Sequence, residues 1–262
     1  MSRKPSKPSP AHSQSVDEFY SNEFSQPPKA DTRPQSTNAL KIKLDHLKKV
    51  EPLTENQQKF WDAYDIGTYA MMLYGSAGTG KTWIALYKAL TEVLSKETPF
   101  ERVIIVRSAV TGRDQGFLPG SLDEKMAQYA EPYKAICQEL FGRKDAYDRL
   151  SEQGMVTLLS TSYLRGSTFN DAIIIFDEFQ NSSWQETKTV ISRLGNRSKI
   201  ILCGDYGQND LNKTKNDVSG FPEVFRIAEQ MKEFVNIRFT TADIVRSNFA
   251  RSFLIACEKL GI

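Results

Sequence analysis

One glycine-rich stretch of eight residues constrains the fold of this chain more than any other feature. It reads G-S-A-G-T-G-K-T, which fits the pattern G-x-x-x-x-G-K-[ST] of a phosphate-binding P-loop. The glycines let the backbone approach a ligand closely, and the loop N–H groups converge on an anion where the next helix starts. Lys81 would then reach the β- and γ-phosphates, and the Thr82 hydroxyl would bind Mg²⁺. The predicted nucleotide-binding residues of this loop are Gly75, Ser76, Ala77, Gly78, Thr79, Gly80, Lys81 and Thr82.

The segments around this stretch favour a functional loop over a chance match in a glycine-rich turn. Residues 69–74 have the composition of a buried strand, and residues 83–90 have that of a helix. A P-loop requires a strand before it and a helix after it. We therefore predict a nucleoside triphosphate site between these two elements.

The rest of the chain predicts an alternation of strands and helices. Further strands are predicted at residues 102–107, 155–160, 172–178 and 199–204, with a short edge strand at 237–239. Helices are predicted to begin at residues 54, 83, 121, 184, 220 and 241, and the last runs to residue 260. Strand 172–178 has no polar alternation, as expected for a strand that is covered on both faces. We predict an α/β fold in which a parallel sheet lies between two layers of helices.

Composition divides the chain into a tail and one domain. Residues 1–38 are rich in Pro, Ser, Gln and Lys and contain few large apolar side chains. Such a segment cannot bury enough surface to offset the entropy of ordering, so we predict that it is disordered. Residues 39–262 contain all the predicted strands and no Pro/Gly-rich linker after residue 51, which indicates a single domain.

Composition also excludes several classes of function. No apolar run approaches the roughly 18 residues of a membrane span, and the N-terminus has no secretory signal. The only histidines, His12 and His46, lie in or near the tail, which disfavours a histidine-based triad or metal site. The three cysteines, Cys137, Cys203 and Cys257, form no C-x-x-C pair and fit a reducing cytoplasm. The net charge of +2 is not that of a strongly basic nucleic-acid binder.

A pair of carboxylates at the end of a predicted strand supplies the second half of the site. Asp177 and Glu178 follow an apolar run, which is the Walker B arrangement. Asp177 would hold Mg²⁺, and Glu178 would polarise the attacking water as a general base. A solvated acidic pair is the alternative, and the P-loop upstream favours the catalytic interpretation. Gln208, beyond the next strand, would sense the γ-phosphate or else lie in an ordinary polar loop.

These motifs, in this order, make the chain resemble the PhoH family, whose members are P-loop ATPases with the RecA-like core of superfamily-1 helicases. The resemblance extends from residue 51 to residue 260. It rests on the segments 53–57, 75–82, 116–120, 165–166, 169–171, 177–181, 193–195, 204–208 and 243–246. Segment 116–120, Gly-Phe-Leu-Pro-Gly, is specific because it is not a general P-loop feature. One departure is Phe179, where the family usually has alanine.

The resemblance implies roles for residues at matching positions. Gln57 resembles the glutamine that reads the adenine edge and would favour ATP over GTP, unless it is merely a surface residue of a helix. Arg246 and Arg193 are candidates for an arginine that meets the γ-phosphate, from the same or a neighbouring subunit, or else for salt-bridge partners. Three more arginines near strand ends could contact phosphate or nucleic acid, namely Arg107, Arg113 and Arg165.

The resemblance also implies an Mg²⁺-dependent ATPase that acts on single-stranded nucleic acid, RNA rather than DNA. Because the chain has no second helicase core, we expect a homo-oligomer, with a hexameric ring as one form, in which a neighbouring subunit completes the site. A stand-alone core resembles the form often carried by bacteriophages, which would act in the cytoplasm of a host cell. A slow nucleotide-dependent switch that recruits a protein partner is the alternative. A small-molecule kinase is disfavoured because Glu178 suits the activation of water.

Overall fold

The computed structural model describes residues 41–108, 122–164, 166, 168–205 and 218–260. The predicted disordered tail 1–38 and the domain boundary at residue 39 lie outside these residues. The helices are α1 (Glu55–Asp65), α2 (Lys81–Ser95), α3 (Leu122–Phe141), α4 (Ala146–Glu152), α5 (Trp184–Ile191), α6 (Phe221–Ala228) and α7 (Asn248–Leu260). The strands are β1 (Ala70–Gly75), β2 (Arg102–Arg107), β3 (Val156–Ser160), β4 (Ala172–Asp177), β5 (Ser198–Gly204) and β6 (Phe234–Phe239).

The six strands form one parallel sheet in the order β3-β2-β4-β5-β1-β6. This arrangement confirms the predicted α/β fold. All six residues of β4 are buried, in agreement with the apolar run that precedes Asp177 at its end. Because the strands are parallel, their carboxyl ends meet at one edge of the sheet, and ligands of such folds bind outside that edge. The P-loop follows β1 and the Asp177–Glu178 pair ends β4, so both halves of the predicted site lie at this edge.

Helices cover the two faces of the sheet, and alternate residues of each strand point to one face or the other. On one face, Leu73 and Ile175 pack with apolar side chains of α1, α2, α3 and α4. On the other face, Met72 and Phe176 pack with α5 and α6. Each large side chain that is fully buried in these layers stabilises the fold by about 1.5–3 kcal/mol relative to an exposed position. Two layers of helices therefore fix where the strand ends lie.

Helix α1 begins where the sequence predicts. Thr54 is its N-cap residue, and the Thr54 hydroxyl accepts the N–H of Gln57 at 3.3 Å. Pro132, which predicts a break or a kink, lies inside α3, and α3 continues through it as one helix. The buried face of α3 includes Tyr133 and Cys137, both with no exposed surface. This packing offsets the hydrogen bond that the proline removes.

The helix predicted at 241–260 begins late. Residues Thr241–Asp243 form a single 3-10 turn, and α7 starts only at Asn248. The Asp243 carboxylate accepts the N–H of Thr240 and closes this turn, which favours a short local structure over a long helix. The N–H of Val245 then donates to the carbonyl of Gly78 at 3.0 Å and holds the chain against the P-loop. Helix α4 was not predicted from the sequence.

The structure also bears on two predictions from composition, which concern the cysteines and membrane-spanning segments. All three cysteines are free thiols, and Cys137 and Cys203 are buried. In the part of the chain that the structure describes, no helix is both long enough and apolar enough to cross a membrane.

Candidate nucleotide and metal site

The backbone of the P-loop has conformations that favour glycine. Gly75, Gly78 and Gly80 have φ angles of 113°, 70° and 81°. A Cβ atom at position 75 would lie 2.0 Å from the carbonyl oxygen of Phe239 in β6. The N–H of Ser76 donates to the same oxygen at 3.1 Å. The loop is therefore held against β6 as well as between β1 and α2.

Lys81 lies at the start of α2, with its ammonium group under the loop. Its Nζ donates to the carbonyl oxygens of Gly75 and Ser76, both at 2.8 Å. Burial lowers the pKa of Lys81, and nearby acidic groups, Asp205 first among them, oppose this shift. The loop thus holds a cation where the pattern predicts phosphate oxygens.

Asp177 connects β4 to two helices through the two oxygens of its carboxylate. The Thr82 hydroxyl donates to Oδ1 at 2.5 Å, and the Tyr133 hydroxyl donates to Oδ2 at 2.8 Å. Burial and the charge of Asp177 raise the pKa of Tyr133 well above its ordinary value, so the phenol keeps its proton and acts as the donor. The predicted pair of metal ligands, Thr82 and Asp177, is thus in direct contact.

Glu178 follows β4 in a left-handed backbone conformation, with φ of 52°. Its Oε2 accepts a hydrogen bond from Nε2 of Gln180 at 2.6 Å, and Oε1 of Gln180 accepts the N–H of Asp205 at 3.0 Å. Burial, and next the charge of Asp177, raise the pKa of Glu178, while the bond from Gln180 opposes the rise. A carboxylate with a raised pKa is a stronger base than an exposed one.

Phe179, the departure from the family pattern, packs beneath these carboxylates. Its side chain is fully buried, and its ring stacks on Phe221 with 4.9 Å between centroids. A Cβ atom at Gly204 would lie 2.7 Å from the Phe179 ring. The larger side chain fits because residue 204, at the end of β5, is a glycine.

Two adjoining cavities border the P-loop. The first, of about 420 Å³, is lined by P-loop residues together with Asp177, Glu178, Asp205 and several residues of α3. The second, of about 510 Å³, is lined by Gln57, by residues 48–51 and by other groups near the start of α2. Gly78, Gly80, Trp83 and Arg246 line both cavities. Each volume lies in the range of about 300–1,000 Å³ that small-molecule sites occupy.

Gln57 is buried, with 3% of its surface exposed, so it is not a surface residue of its helix. Its Oε1 accepts the N–H of Leu53 at 2.8 Å, and its Nε2 donates to the carbonyl of Thr79 at 3.1 Å. A carboxamide has two donor hydrogens and two acceptor lone pairs, so one of each is left after these bonds. The side chain both supports the P-loop and lines the second cavity.

The predicted arginines are spread over both edges of the sheet. Arg246 lines both cavities, and its Cγ would lie 3.1 Å from a Cβ at Gly78. Arg107 is in register with Asp177 at the end of β2, with its guanidinium 5.5 Å from the centre of the Tyr129 ring. Arg193 lies at the opposite edge, because its carbonyl accepts the N–H of Phe169, which precedes β4. The structure therefore does not bring Arg193 to the P-loop of its own chain.

Several predicted residues lie outside the part of the chain that the structure describes. These are Gln208, Arg113, Arg165 and the segment 116–120. Conversely, the motifs of the sequence assign no role at the site to Tyr133 or Gln180, although Gln180 lies within segment 177–181. Tyr133 lies 44 positions from the aspartate that it contacts, and no short motif spans such a distance.

The residues present fit Mg²⁺ in particular. Among the described residues, no group of three or more His, Cys, Asp or Glu side chains could hold a metal ion. Mg²⁺ does not need such a group, since it is bound by one or two carboxylates together with substrate phosphates and water. Thr82 and Asp177 supply one hydroxyl and one carboxylate beside the Lys81 ammonium.

Comparison with known proteins gives matches over most of the chain. The sequence pattern of the family described as "PhoH-like protein" matches residues 49–258. A PhoH-like protein of Mycobacterium leprae (strain TN) is 35% identical over 214 residues, which are 81% of this chain and 60% of the relative. Protein PhoH of Escherichia coli (strain K12) is 34% identical over 184 residues, which are 70% of this chain and 51% of the relative. The chain thus spans between about half and 60% of the length of these relatives.

A helicase is among the solved structures that align with this chain. A crystal structure of Pif1 helicase from Candida albicans aligns with a TM-score of 0.40 and 14% identity, over 81% of this chain and 44% of that one. A likeness at this level shows neither activity nor partner. The two PhoH relatives named above come from bacteria, so the expectation of a bacteriophage-type protein has no support in them.

Proposed function

The chain belongs to the family of PhoH-like proteins, and from this premise we propose that it binds ATP with Mg²⁺ and hydrolyses the γ-phosphate. One observation carries the proposal: the P-loop hydroxyl of Thr82 contacts the carboxylate of Asp177, with Glu178 next in the chain. Two segments that are 95 positions apart thus supply the two ligands that a magnesium nucleotide requires. When it is bound, Mg²⁺ would neutralise charge on the phosphates.

Each residue of the site has a role in this proposal. The P-loop N–H groups and Lys81 bind the phosphates, while Thr82 and Asp177 hold the metal. Glu178 orients the attacking water and accepts its proton. Among the residues that the structure describes, Arg246 is the arginine that lines the same cavity, and we assign it the stabilisation of charge on the γ-phosphate. Gln208 remains the proposed sensor of that phosphate.

ATP is the proposed nucleotide because Gln57 has hydrogen-bonding capacity left. One N–H and one lone pair of its carboxamide remain after the bonds to Leu53 and Thr79. A donor and an acceptor side by side match the adenine edge, which offers one acceptor and one donor in turn. We therefore expect binding of ATP to be tighter than binding of GTP.

The first test separates binding from turnover. Lys81→Ala should lose both nucleotide binding and phosphate release, whereas Glu178→Gln should still bind a fluorescent nucleotide but release no phosphate. Lys88→Ala is the matched control, because Lys88 also lies on α2 but pairs with Asp65, away from the P-loop. Undiminished hydrolysis by Lys81→Ala would contradict the assignment of the site.

We further propose that hydrolysis is coupled to single-stranded nucleic acid, RNA rather than DNA, in a homo-oligomer such as a hexameric ring. The support is the family resemblance, together with exposed lysines, Lys41, Lys43, Lys48 and Lys49, in a segment that is anchored by buried Ile42 and Leu47. Rates of ATP hydrolysis should rise on titration with single-stranded RNA, and the rise should shrink at higher salt. A rate that responds to no nucleic acid would favour the alternative, a slow nucleotide-dependent switch that recruits a protein.

A further inference from the structure

A tyrosine outside every motif of the sequence contacts the carboxylate of Asp177. Tyr133 lies on the buried face of α3 and has no exposed surface. Its hydroxyl donates to Oδ2 of Asp177 at 2.8 Å. Because the Thr82 hydroxyl occupies Oδ1, the two donors hold the carboxylate from opposite sides. The tyrosine bond therefore fixes which oxygen faces the P-loop.

We propose that Tyr133 is a positioning residue for the metal site, which keeps Oδ1 of Asp177 directed toward Thr82, the residue with which it would hold Mg²⁺. This inference rests on the proposed function, because it presupposes that Thr82 and Asp177 hold Mg²⁺. Carboxylates that bind metals are held by hydrogen bonds from outer groups, and loss of such a partner weakens metal binding or activity by about 10–100-fold. Tyr133 is such an outer hydrogen-bond donor to Asp177.

The position of Tyr133 on α3 gives the contact a wider consequence. The first cavity, which borders the P-loop, is also lined by four residues of the same helix, Pro132, Ala135, Ile136 and Glu139. Helix α3 therefore both borders the proposed nucleotide site and holds the Asp177 carboxylate through Tyr133. A displacement of α3 would change the direction of the Asp177 carboxylate without touching the P-loop.

The effect of the hydroxyl should be confined to the metal-dependent part of nucleotide binding. Lys81 and the P-loop N–H groups would contact phosphates whether or not a metal is present, and Tyr133 does not line the cavity beside them. Loss of the hydroxyl should thus leave metal-free binding unchanged. A purely structural role for Tyr133 would instead weaken binding with and without Mg²⁺ to the same extent.

The test compares the affinity for a fluorescent ADP analogue with Mg²⁺ and with EDTA. Tyr133→Phe keeps the ring and its packing and removes only the hydroxyl, so its melting curve should stay cooperative. We expect its affinity in Mg²⁺ to fall by about 10-fold, while its affinity in EDTA stays that of the wild type. Tyr147→Phe is the control, since Tyr147 is another buried tyrosine, on α4, and lines neither cavity.

A double variant keeps the inference testable if Tyr133→Phe also disturbs the fold. In an Asp177→Asn background the carboxylate is gone, so adding Tyr133→Phe should have no further effect on the Mg²⁺ dependence. Equal losses with and without the Asp177 change would overturn the positioning role. An unchanged Mg²⁺ affinity in Tyr133→Phe alone would do the same. Wild-type protein that binds the nucleotide equally well in EDTA would instead overturn the metal site itself, and this inference with it.

Discussion

Glu178, the proposed base, shows at the scale of a single residue how the fold can shift the pKa of a carboxyl group. Its carboxyl is buried beside the charge of Asp177, and both raise its pKa above the ordinary value of 4.5. The base must be ionised to accept a proton, so the rate of hydrolysis should fall as the pH falls through this raised pKa. We expect the acidic limb of the pH–rate profile to lie above pH 4.5.

A substitution of Gln180 should shift the pH–rate profile in a direction that can be tested. The hydrogen bond from Gln180 stabilises the ionised form of Glu178 and so lowers the pKa. Gln180→Met removes the donor at similar volume, and the acidic limb should then move to higher pH. Initial rates measured across the pH range for both proteins check this. A limb that moves downward, or not at all, would show that another group controls the rate.

Phe179 tests the packing under the carboxylates. Its ring is fully buried against Phe221 and occupies the space left by Gly204. Phe179→Ala, which restores the usual family residue, should lower the free energy of unfolding by about 3–5 kcal/mol, because the cavity is not refilled. Phe253→Ala is the control: this side chain on α7 is 60% exposed, and its loss should change the stability by less than about 0.5 kcal/mol. Equal urea midpoints for the two variants would contradict this account.

Single residues of the site were predictable from the sequence where a local pattern encodes them. The P-loop and the Asp177–Glu178 pair each depend on adjacent residues, and the parallel sheet brings the two motifs to one edge. Tyr133 acts through a contact with a distant strand. Gln180 lies only two residues from Glu178, but its two hydrogen bonds, to Glu178 and from the N–H of Asp205, depend on the folded ends of β4 and β5. In a single sequence, a tyrosine that contacts the site looks the same as any other buried tyrosine of α3. Only the packing of α3 against β4 shows that Tyr133 is the one that reaches Asp177.

Among the elements, β1 and β6 hold the P-loop jointly, and Gly75 is the residue where they come closest. A methyl group there would clash with the Phe239 carbonyl, and φ of 113° is unfavourable for any side chain. Gly67→Ala offers a matched control, since its φ is 84° and nothing lies within 4 Å of the added atom. That change should cost about 1–2 kcal/mol through backbone strain alone. Gly75→Ala should cost clearly more in urea unfolding and also abolish nucleotide binding; equal costs would contradict the close approach.

The elements differ in how well the sequence specifies them. Strand β4 is continuous and apolar up to Asp177, so the pattern and the burial of its first five residues agree one by one, and only the buried Asp177 departs from it. The segment 241–260 has the composition of a helix throughout, yet it bends at residues 244–247. A hydrogen bond from the N–H of Val245 to the carbonyl of Gly78 holds the chain in this bend. Such a hydrogen bond depends on tertiary packing, so it cannot be predicted from hydrophobic periodicity.

At the scale of the whole molecule, the origin of the arginine decides whether one subunit is a complete enzyme. The sequence led us to expect that a neighbouring subunit completes the site. Arg246, however, lines both cavities of its own chain, whereas Arg193 lies at the far edge of the sheet. These positions favour an Arg246 that acts within its own subunit. The proposed oligomer would then be needed for binding a strand of nucleic acid and not for the hydrolysis of ATP.

Mixing two inactive variants distinguishes these cases. Arg246→Ala should lower the rate of ATP hydrolysis by about 10³-fold or more, the loss typical of such an arginine. If Arg246 acts in its own subunit, mixing this variant with Lys81→Ala protein should restore nothing, because no subunit then has both groups. Recovery on mixing would show that the arginine crosses a subunit boundary. Arg193→Ala, treated in the same way, should keep the wild-type rate; a loss that mixing with Lys81→Ala reverses would make Arg193 the residue donated by a neighbour. Light scattering of each mixture with and without ATP must accompany the rates, since subunits that do not assemble cannot complement each other.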